Sequence, residues 1–358
     1  MKRIIAIILT VLLVSAVIFG GCAKPVEETP TTPTEPEVKP IEWRFASFVP
    51  PSDVYSQEQE AWGKRLEEAT GGRVRITYYW AESLIKIPGL FDAITSGTCD
   101  LAMMVPMYTP ERLPLSPVTS LPMMFRSSPQ AAQTWLALYN KHKVLRDELY
   151  PAKALWAQNP GATNISSKRP VQTVEDFKGL KIRTTSKHEI AAYTLLGATP
   201  VPVTSGERYH ALETGIVDAT SDDFNAVWIW RLHEVTKYRT DNINMQYHTT
   251  PVVMNSGSYD KLPEDIRQIF DELTDSMEQT KSIAEHFEQF QAGTTEKVKE
   301  FDKKVGNPPF YVLPEAERQR WIDIIHPVIE EWASEMEAKG LPGKALVDDM
   351  IAIAEQYE

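Results

Sequence analysis

The alternation of hydrophobic and polar residues changes period repeatedly along the sequence, which predicts short strands and helices in succession. Residues 42–48 and 73–80 alternate apolar and polar side chains, as half-exposed strands do. Between them, residues 57–70 place Trp62 and Leu66 on one face of a helix. A strand, a helix and a second strand in this order are typical of an α/β fold.

The same pattern continues through the middle of the chain, and the C-terminal part is mainly helical. Residues 263–304 are predicted to form one helical run, with Gly293 as the place for any break. A short strand at 310–313 separates this run from the closing helices. Further strands are predicted at residues 100–105, 153–158, 163–167, 181–185, 200–203 and 218–221, with one or two more within 237–254, and further helices at 88–96, 129–142, 189–196, 205–214, 314–339 and 344–357.

Two segments repeat one design. Residues 93–102 and 211–220 each end a helix with a glycine and then enter a strand through an aspartate. A helix that ends in glycine before a strand is common in α/β proteins in general. It also fits two lobes of like construction, with a ligand cleft between them.

The N-terminus predicts export and a lipid anchor. A basic start, M-K-R, precedes an apolar run at residues 4–19, and G-G-C follows at 20–22. We interpret residues 1–21 as a lipoprotein signal peptide and Cys22 as the lipidated residue, with simple secretion as the alternative. The apolar run is short for a membrane span, which needs about 20 residues.

The segment after Cys22 predicts a tether. Residues 22–41 are rich in Pro, Thr and Glu and cannot bury a core, so they should form an extended, semi-rigid spacer. We therefore expect a protein of the cell envelope, either anchored by lipid to the outer face of the cytoplasmic membrane or periplasmic. The body that follows is longer than one core usually supports, which predicts two lobes.

Charge and cysteine content exclude several classes of protein. The net charge is −12 and the sequence has no basic stripe, which argues against a nucleic-acid partner. Only Cys99 remains after Cys22, so neither an internal disulfide nor a Cys-rich metal site is expected. The motifs G-x-S-x-G, H-E-x-x-H, G-x-G-x-x-G and the P-loop do not occur, so we expect no enzyme and no resident cofactor.

The candidate chemistry lies between residues 176 and 228. Arg183 ends a short apolar strand pattern, and a glycine-then-aspartate turn leads later into Ser221, Asp222, Asp223 and Asn225. A guanidinium group offers a planar fork of donors that matches a carboxylate. This arrangement predicts a site in which Arg183 binds an anion and the polar residues from Ser221 to Asn225 line the opposite side.

These residues belong to a wider resemblance. The chain resembles the extracytoplasmic solute-binding proteins of TRAP (tripartite ATP-independent periplasmic) transporters. The two central segments, at 167–183 and at 196–218, are the most specific to this family. The similar segments are T-G-G-R-V-R-I-T-Y-Y-W at 70–80, I-T-S-G-T-C-D-L-A-M at 94–103, S-L-P-M-M-F at 120–125, S-K-R-P-V-Q-T-V-E-D-F-K-G-L-K-I-R at 167–183, L-G-A-T-P-V-P-V at 196–203 with E-R-Y-H-A-L-E-T-G-I-V-D at 207–218, and M-N-S-G-S-Y-D-K-L-P-E-D at 254–265.

The resemblance implies an α/β, two-lobed periplasmic-binding-protein-like fold with an interlobe cleft, crossing strands and a long connecting helix. It places residues 42–160 and 248–287 in lobe I, and residues 161–247 and 288–358 in lobe II with the closing helices. It also implies capture of a small organic acid by Arg183 and delivery to the membrane subunits of an ion-driven transporter. The rival interpretation is the binding lipoprotein of an ATP-driven (ABC) importer.

The sequence departs from the family pattern in two places. Asp222 stands at or beside a position where an asparagine is common, so it could accept from a ligand hydroxyl or ammonium group, pair with Arg183, or bind a bridging cation together with Asp223. Residues 162–164 stand where a second basic residue is common. Together these departures favour a monocarboxylate with polar substituents over a dicarboxylate.

Other candidates for the cleft follow from their positions at strand ends. For each of them a place in the core or on the surface is an equal alternative. We expect His188 and His210 to be surface residues. The cleft candidates are Phe48, Tyr108, Asn159, Phe224, Asn225, Trp228 and His248.

Overall fold

The strands of the protein form two separate mixed sheets. The structure is a computed structural model, which describes residues 39–357. The strands are β1 (Ile41–Ala46), β2 (Val74–Tyr79), β3 (Leu101–Met103), β4 (Ala152–Trp156), β5 (Asn164–Ser167), β6 (Lys181–Arg183), β7 (Thr199–Val201), β8 (Ala219–Asp222), β9 (Tyr238–Asp241), β10 (Val252–Asn255) and β11 (Tyr311–Val312).

The first sheet has the strand order β2-β1-β3-β10-β4, and the second has the order β11-β9-β5-β8-β6-β7. In the first sheet β1 runs parallel to β2 and β3, while β10 is antiparallel to both of its neighbours. In the second sheet β6 is parallel to β7 and β8, while β5 is antiparallel to β8 and β9. The α/β fold class is therefore confirmed.

Helices cover the sheets. Their bounds are α1 (Val54–Ala69), α2 (Leu90–Thr95), α3 (Ser128–Lys141), α4 (Lys143–Leu149), α5 (Lys187–Leu195), α6 (Arg208–Thr214), α7 (Phe224–Ile229), α8 (Ser256–Asp260), α9 (Glu264–Leu273), α10 (Ser276–Val305), α11 (Glu315–Ala338) and α12 (Gly343–Ala354). None of the helices between residues 39 and 357 is long and apolar enough to cross a membrane.

The chain passes between the sheets twice before the long helix. Residues 157–163 lead from β4 to β5, and residues 242–251 lead back from β9 to β10. The two crossing segments meet in an antiparallel bridge between Ala162 and Tyr247. The long helix α10 contributes Phe287 to the core beside the first sheet and Val298 to the core beside the second. This agrees with the crossing strands and connecting helix that the resemblance implies.

The repeated helix–Gly–Asp–strand segments lie in different sheets. The first leads into β3 of the first sheet and the second into β8 of the second. Each turn needs a left-handed backbone, with φ of 73° at Gly97 and 80° at Gly215, which glycine adopts without steric cost. The repeat therefore occurs once beside each sheet.

One predicted element is wrong. The helical run over residues 263–304 is two helices, α9 and α10, and the break lies at Thr274 and Asp275 rather than at Gly293. The carboxylate of Asp275 accepts the backbone N–H of Glu278 at 3.2 Å and so caps α10. Gly293 lies inside α10, where packing along the core compensates for its low helix propensity.

Every strand that overlaps residues 42–160 or 248–287 belongs to the first sheet, and every other described strand belongs to the second. The last helix, α12, packs against α3, which covers the first sheet. The lobe boundaries themselves stay a prediction. The signal peptide, Cys22 and the tether up to residue 38 lie outside the described residues.

Candidate functional site

Arg183 is the last residue of β6, and the sheet holds its side chain in place. The residue is 6% exposed and pairs in register with Thr220 of β8. Its Nε donates to the carbonyl oxygen of Val203 at 2.9 Å, and its Nη1 donates to Oδ1 of Asp222 at 3.3 Å. Nη2 donates to none of the residues that the structure describes. One edge of the guanidinium group is thus fixed and the other is available.

Asp222 lies between two arginines. Its Oδ1 accepts from Arg183 and, at 2.6 Å, from Nη1 of Arg208. Its Oδ2 accepts the hydroxyl of Thr220, from the same strand. Of the roles open to Asp222 in the sequence, the structure shows the pairing with Arg183.

Arg208 is a second cation that sequence reasoning missed. It is the first residue of α6, it is 6% exposed, and its guanidinium carbon lies 4.9 Å from the centroid of the Trp230 ring. Burial lowers the pKa of Arg208, and the carboxylate of Asp222 opposes that shift. The comparison of residues 162–164 with the family pattern did not consider Arg208. The signal was present as the arginine of the E-R-Y-H segment.

Behind Arg183 lies a buried carboxyl group, that of Glu189, in the first turn of α5. Thr163 and Ser221 donate their hydroxyls to its Oε1 at 2.5 and 2.9 Å, and Thr184 donates to its Oε2. Burial raises the pKa of Glu189, against the lowering effect of these hydroxyls. Nothing in the sequence singles out Glu189, because its place in the helix pattern is that of an ordinary polar residue.

Asp223 turns away from Asp222, as adjacent residues in an extended backbone do. Its Oδ1 accepts the backbone N–H of Ala226 at 2.9 Å and caps α7. Burial raises the pKa of Asp223 to about 7, although the cap opposes the shift. The two carboxyl groups therefore have different partners and separate tasks.

Several buried polar atoms near Arg183 and Asp223 lack a hydrogen-bond partner among the described residues. They are Oη of Tyr55, Oδ1 of Asn159, Oδ1 of Asn225 and Nδ1 of His248. Burial, and then the charge of Arg183, lowers the pKa of His248 to about 4. Burial, and then the charges of Asp53 and Asp223, raises the pKa of Tyr55. Buried polar groups are rarely left unpaired, so these atoms mark a place for a ligand or water.

A cavity of about 240 Å³ is lined by none of these residues, although His188 in its wall interacts electrostatically with His248. Tyr108 lines it, is 48% exposed, and interacts electrostatically with Arg208. Thr185 and His188, which follow Arg183 closely in the chain, line it as well. His188 is partly exposed, and burial lowers its pKa. His210 is exposed, as predicted.

Three of the predicted cleft residues pack against other side chains, and one of them, Phe224, also lines a second cavity of about 320 Å³. The ring of Phe224 packs against Phe310 with centroids 4.9 Å apart, and Trp228 stacks on His233 at 4.6 Å. Phe48 is half-buried and packs against both cores beside the first sheet. The structure thus joins Arg183 to Asp222 by a hydrogen bond and places His248 within electrostatic reach of both.

The described residues include no group of three or more His, Cys, Asp or Glu side chains that could hold a metal ion. The two oxygens of Asp222 accept from two guanidinium groups and a hydroxyl. Two fixed positive charges at one carboxylate disfavour a cation there.

Comparison with known proteins identifies relatives over most of the chain. The model of the family described as bacterial extracellular solute-binding protein, family 7, matches residues 45–335. The C4-dicarboxylate-binding periplasmic protein DctP of Rhodobacter capsulatus is 26% identical over 304 residues, which cover 84% of this chain and 89% of that protein. The 2,3-diketo-L-gulonate-binding periplasmic protein YiaO of Escherichia coli is 29% identical, over 57% of this chain and 62% of that protein.

A solved structure agrees with the fold. The TRAP periplasmic solute-binding protein of Desulfovibrio salexigens superposes with a TM-score of 0.80 at 26% identity, covering 89% of this chain and 97% of that one. That protein is an open complex with the C-terminus of a symmetry mate in its ligand-binding site. These findings favour TRAP transport over the rival interpretation of an ATP-driven importer.

Proposed function

The chain belongs to the bacterial extracellular solute-binding protein family 7, and on that premise we propose that it captures a small organic acid for a TRAP transporter through Arg183. The observation that carries this proposal is the state of the Arg183 side chain. Its Nε and Nη1 are fixed by Val203 and Asp222, whereas Nη2 keeps its donors for a ligand. In a buried site a guanidinium–carboxylate pair is stronger than on a surface.

The neighbouring unpaired atoms support a ligand with polar substituents. Amide oxygens of Asn159 and Asn225 are buried acceptors without a donor among the described residues. A hydroxyl or ammonium group on the acid would donate to them. His248 is neutral at pH 7 because its pKa is lowered to about 4, so it can donate or accept without repelling such groups.

Relatives bind compounds of this class. One is named for C4-dicarboxylates and another for 2,3-diketo-L-gulonate, a hydroxylated acid. In the Desulfovibrio salexigens protein the site holds the C-terminus of a symmetry mate, and the C-terminus of a polypeptide ends in a carboxylate. The common chemistry is a carboxylate, while the rest of the ligand differs.

Arg183→Ala tests the anchor. Ligands are first found by thermal-shift screening of an acid library, since binding to the folded state raises its stability. Calorimetry on the lipid-free body should then show a loss of at least about 2 kcal/mol of binding free energy in the variant. Arg320→Ala is the matched control, because Arg320 pairs with Glu175 on the surface. Binding by Arg183→Ala as tight as that of the parent would show that the anchor is assigned to the wrong residue.

The bridging cation is tested in the same assay. Asp222 and Asp223 would have to share it, and the arginines at Asp222 oppose it. Titration with a chelator present should leave the affinity unchanged. A loss of affinity that added Ca²⁺ or Mg²⁺ restores would support the cation instead.

We also propose that Cys22 carries the lipid anchor and that the bound acid passes to the TRAP membrane subunits. The support for the anchor is the order of basic start, apolar run and G-G-C in the sequence. Cys22→Ser should move the protein from the membrane fraction to the soluble fraction. Uptake by the membrane subunits in liposomes should require this protein and an ion gradient, and no ATP.

A further inference from the structure

Asp222 is built firmly into the second sheet. It ends β8 and pairs in register with Asn164 of β5. Arg183 and Arg208 both donate to its Oδ1, and the hydroxyl of Thr220 donates to its Oδ2. The side chain is 9% exposed, so both oxygens are held inside the protein.

This arrangement is the same as that of a carboxylate ligand between two arginines. An aspartate side chain ends in the same chemical group as an organic acid, and two guanidinium groups within hydrogen-bond distance are a strong binding site for it. Here the protein itself supplies that carboxylate. The position between Nη1 of Arg183 and Nη1 of Arg208 is therefore filled before any ligand arrives.

The charges of Arg183, Arg208 and Asp222 also leave no place for a second ligand carboxylate. Arg183 and Arg208 are cations and Asp222 is an anion, so the three together carry one net positive charge. One ligand carboxylate on Nη2 of Arg183 neutralises it. A second ligand carboxylate directed toward Arg208 would meet the carboxylate of Asp222, and like charges in close contact cost several kcal/mol.

We propose that Asp222 is the residue that excludes dicarboxylates, because its side chain occupies the position between Arg183 and Arg208 where a ligand's second carboxylate would bind. This inference rests on the proposed function, since it assumes that one carboxylate binds Arg183. It assigns to a single side chain the difference between this protein and a relative named for C4-dicarboxylates. In the parent protein the carboxylate of Asp222 neutralises Arg208. In a variant without that carboxylate, the charge of Arg208 would attract the second carboxylate of a ligand.

Removal of the Asp222 carboxylate should shift the preference of the protein from monocarboxylates toward dicarboxylates. Asp222→Ala clears the position and leaves two arginines facing it, and Asp222→Asn removes the charge while it keeps the volume. The probes are matched pairs of acids, lactate with malate and gluconate with glucarate, titrated calorimetrically. The ratio of dicarboxylate to monocarboxylate affinity should rise at least about tenfold in Asp222→Ala. It should rise less in Asp222→Asn, where the amide still fills the space.

A second buried arginine–aspartate pair provides the control. Arg239 donates to Asp302 at 3.2 Å, and both side chains are at least as buried as those of the Asp222 pair. Asp302→Asn should lower stability without any change in the ratio of affinities. A thermal-shift measurement adds a readout that needs no calorimetric signal. Malate should raise the unfolding midpoint of Asp222→Ala more than that of the parent.

The outcomes separate this inference from the proposed function. If the parent binds a monocarboxylate and the folded Asp222 variants keep its ratio of affinities, the specificity role of Asp222 is wrong and the proposed function stands. The same holds if Asp302→Asn shifts the ratio equally. If Asp222→Ala does not fold, Asp222→Asn alone decides. If neither parent nor variants bind any of the acids, both proposals are wrong.

Discussion

Asp222 and Asp223 are neighbours in the sequence and have different electrostatic environments. Asp222 accepts from two guanidinium groups, and Asp223 accepts from a backbone N–H at the start of α7. Burial dominates at Asp223 and raises its pKa from 3.8 to about 7. At the scale of the residue, the site therefore contains one carboxyl group fixed by cations and one whose charge changes near neutral pH.

The titration of Asp223 predicts a pH dependence of stability. The folded protein keeps a proton on Asp223 that the unfolded protein releases above pH 3.8. The stability that protonated Asp223 contributes to the folded protein is therefore fully present below pH 3.8. It is lost as the pH rises to about 7. Asp223→Asn removes the titration and keeps a capping side chain.

Urea unfolding across this pH range measures the effect. Relative to Asp223→Asn, the parent should lose stability steadily as the pH rises from 3.8 to about 7, and the difference should then stay constant. Glu213→Gln, at an exposed position of α6, should follow the parent. Parallel curves for the parent and Asp223→Asn would contradict the raised pKa.

At the scale of the element, Glu189 joins α5 to the second sheet. Its partners come from the segment before β5, from the residue after β6 and from β8. The hydroxyl of Tyr193, one turn further along α5, also lies 2.9 Å from Ser221. A single helix is thus tied to β8 and to the residues that flank β5 and β6, one of which directly follows Arg183.

Loss of Glu189 should therefore destabilise the fold. Glu189→Ala leaves buried hydroxyls of Thr163, Thr184 and Ser221 without their acceptor, and we expect a loss of about 3 kcal/mol in the free energy of unfolding. Equilibrium urea unfolding measures it. Glu213→Ala, at an exposed position, should change stability by less than about 0.5 kcal/mol. An effect of Glu189→Ala as small as that of the control would show that other groups replace the acceptor.

Sequence reasoning predicted the elements better than their contacts. Arg183 could be placed because a charged residue at the end of an apolar strand stands out locally. Arg208 could not, since the first turn of a helix looks the same whether it faces solvent or a carboxylate across the sheet. Phe224 and Trp228 follow a strand end, and the sequence does not reveal that their rings lie against Phe310 and His233, which come from later parts of the sequence. The break before α10 depends on one capping aspartate, which the periodicity does not reveal.

At the scale of the whole molecule, the crossing segments and α10 hold the two sheets together. Gly161 lies in the first crossing segment with φ of 92°, and Gln291 of α10 donates to the carbonyl oxygen of Pro160 at 2.6 Å. A Cβ at residue 161 would lie 2.2 Å from Nε2 of Gln291. The segment therefore requires glycine for its backbone and for its contact with the helix.

Gly161→Ala should cost about 1–3 kcal/mol of stability because of the left-handed backbone alone. In a Gln291→Ala background the steric contact disappears and the backbone cost remains, so the substitution should be less damaging there. Thermal or urea unfolding of both variants separates the two causes. Gly206→Ala, where a Cβ meets no atom within 4 Å, should be close to neutral. Equal costs at residues 161 and 206 would contradict the assigned strain.

The position of β10 has a consequence for the order in which the protein is made. Residues 252–255 lie between β3 and β4, so these two strands of the first sheet have no direct pairing with each other. While the ribosome is still adding the second sheet, β4 has no partner strand in its own sheet. The first sheet can be completed only after residue 255 has emerged from the ribosome. Synthesis from the N-terminus thus delivers a late strand to an early sheet, and the nascent polypeptide remains incompletely folded until most of its length exists.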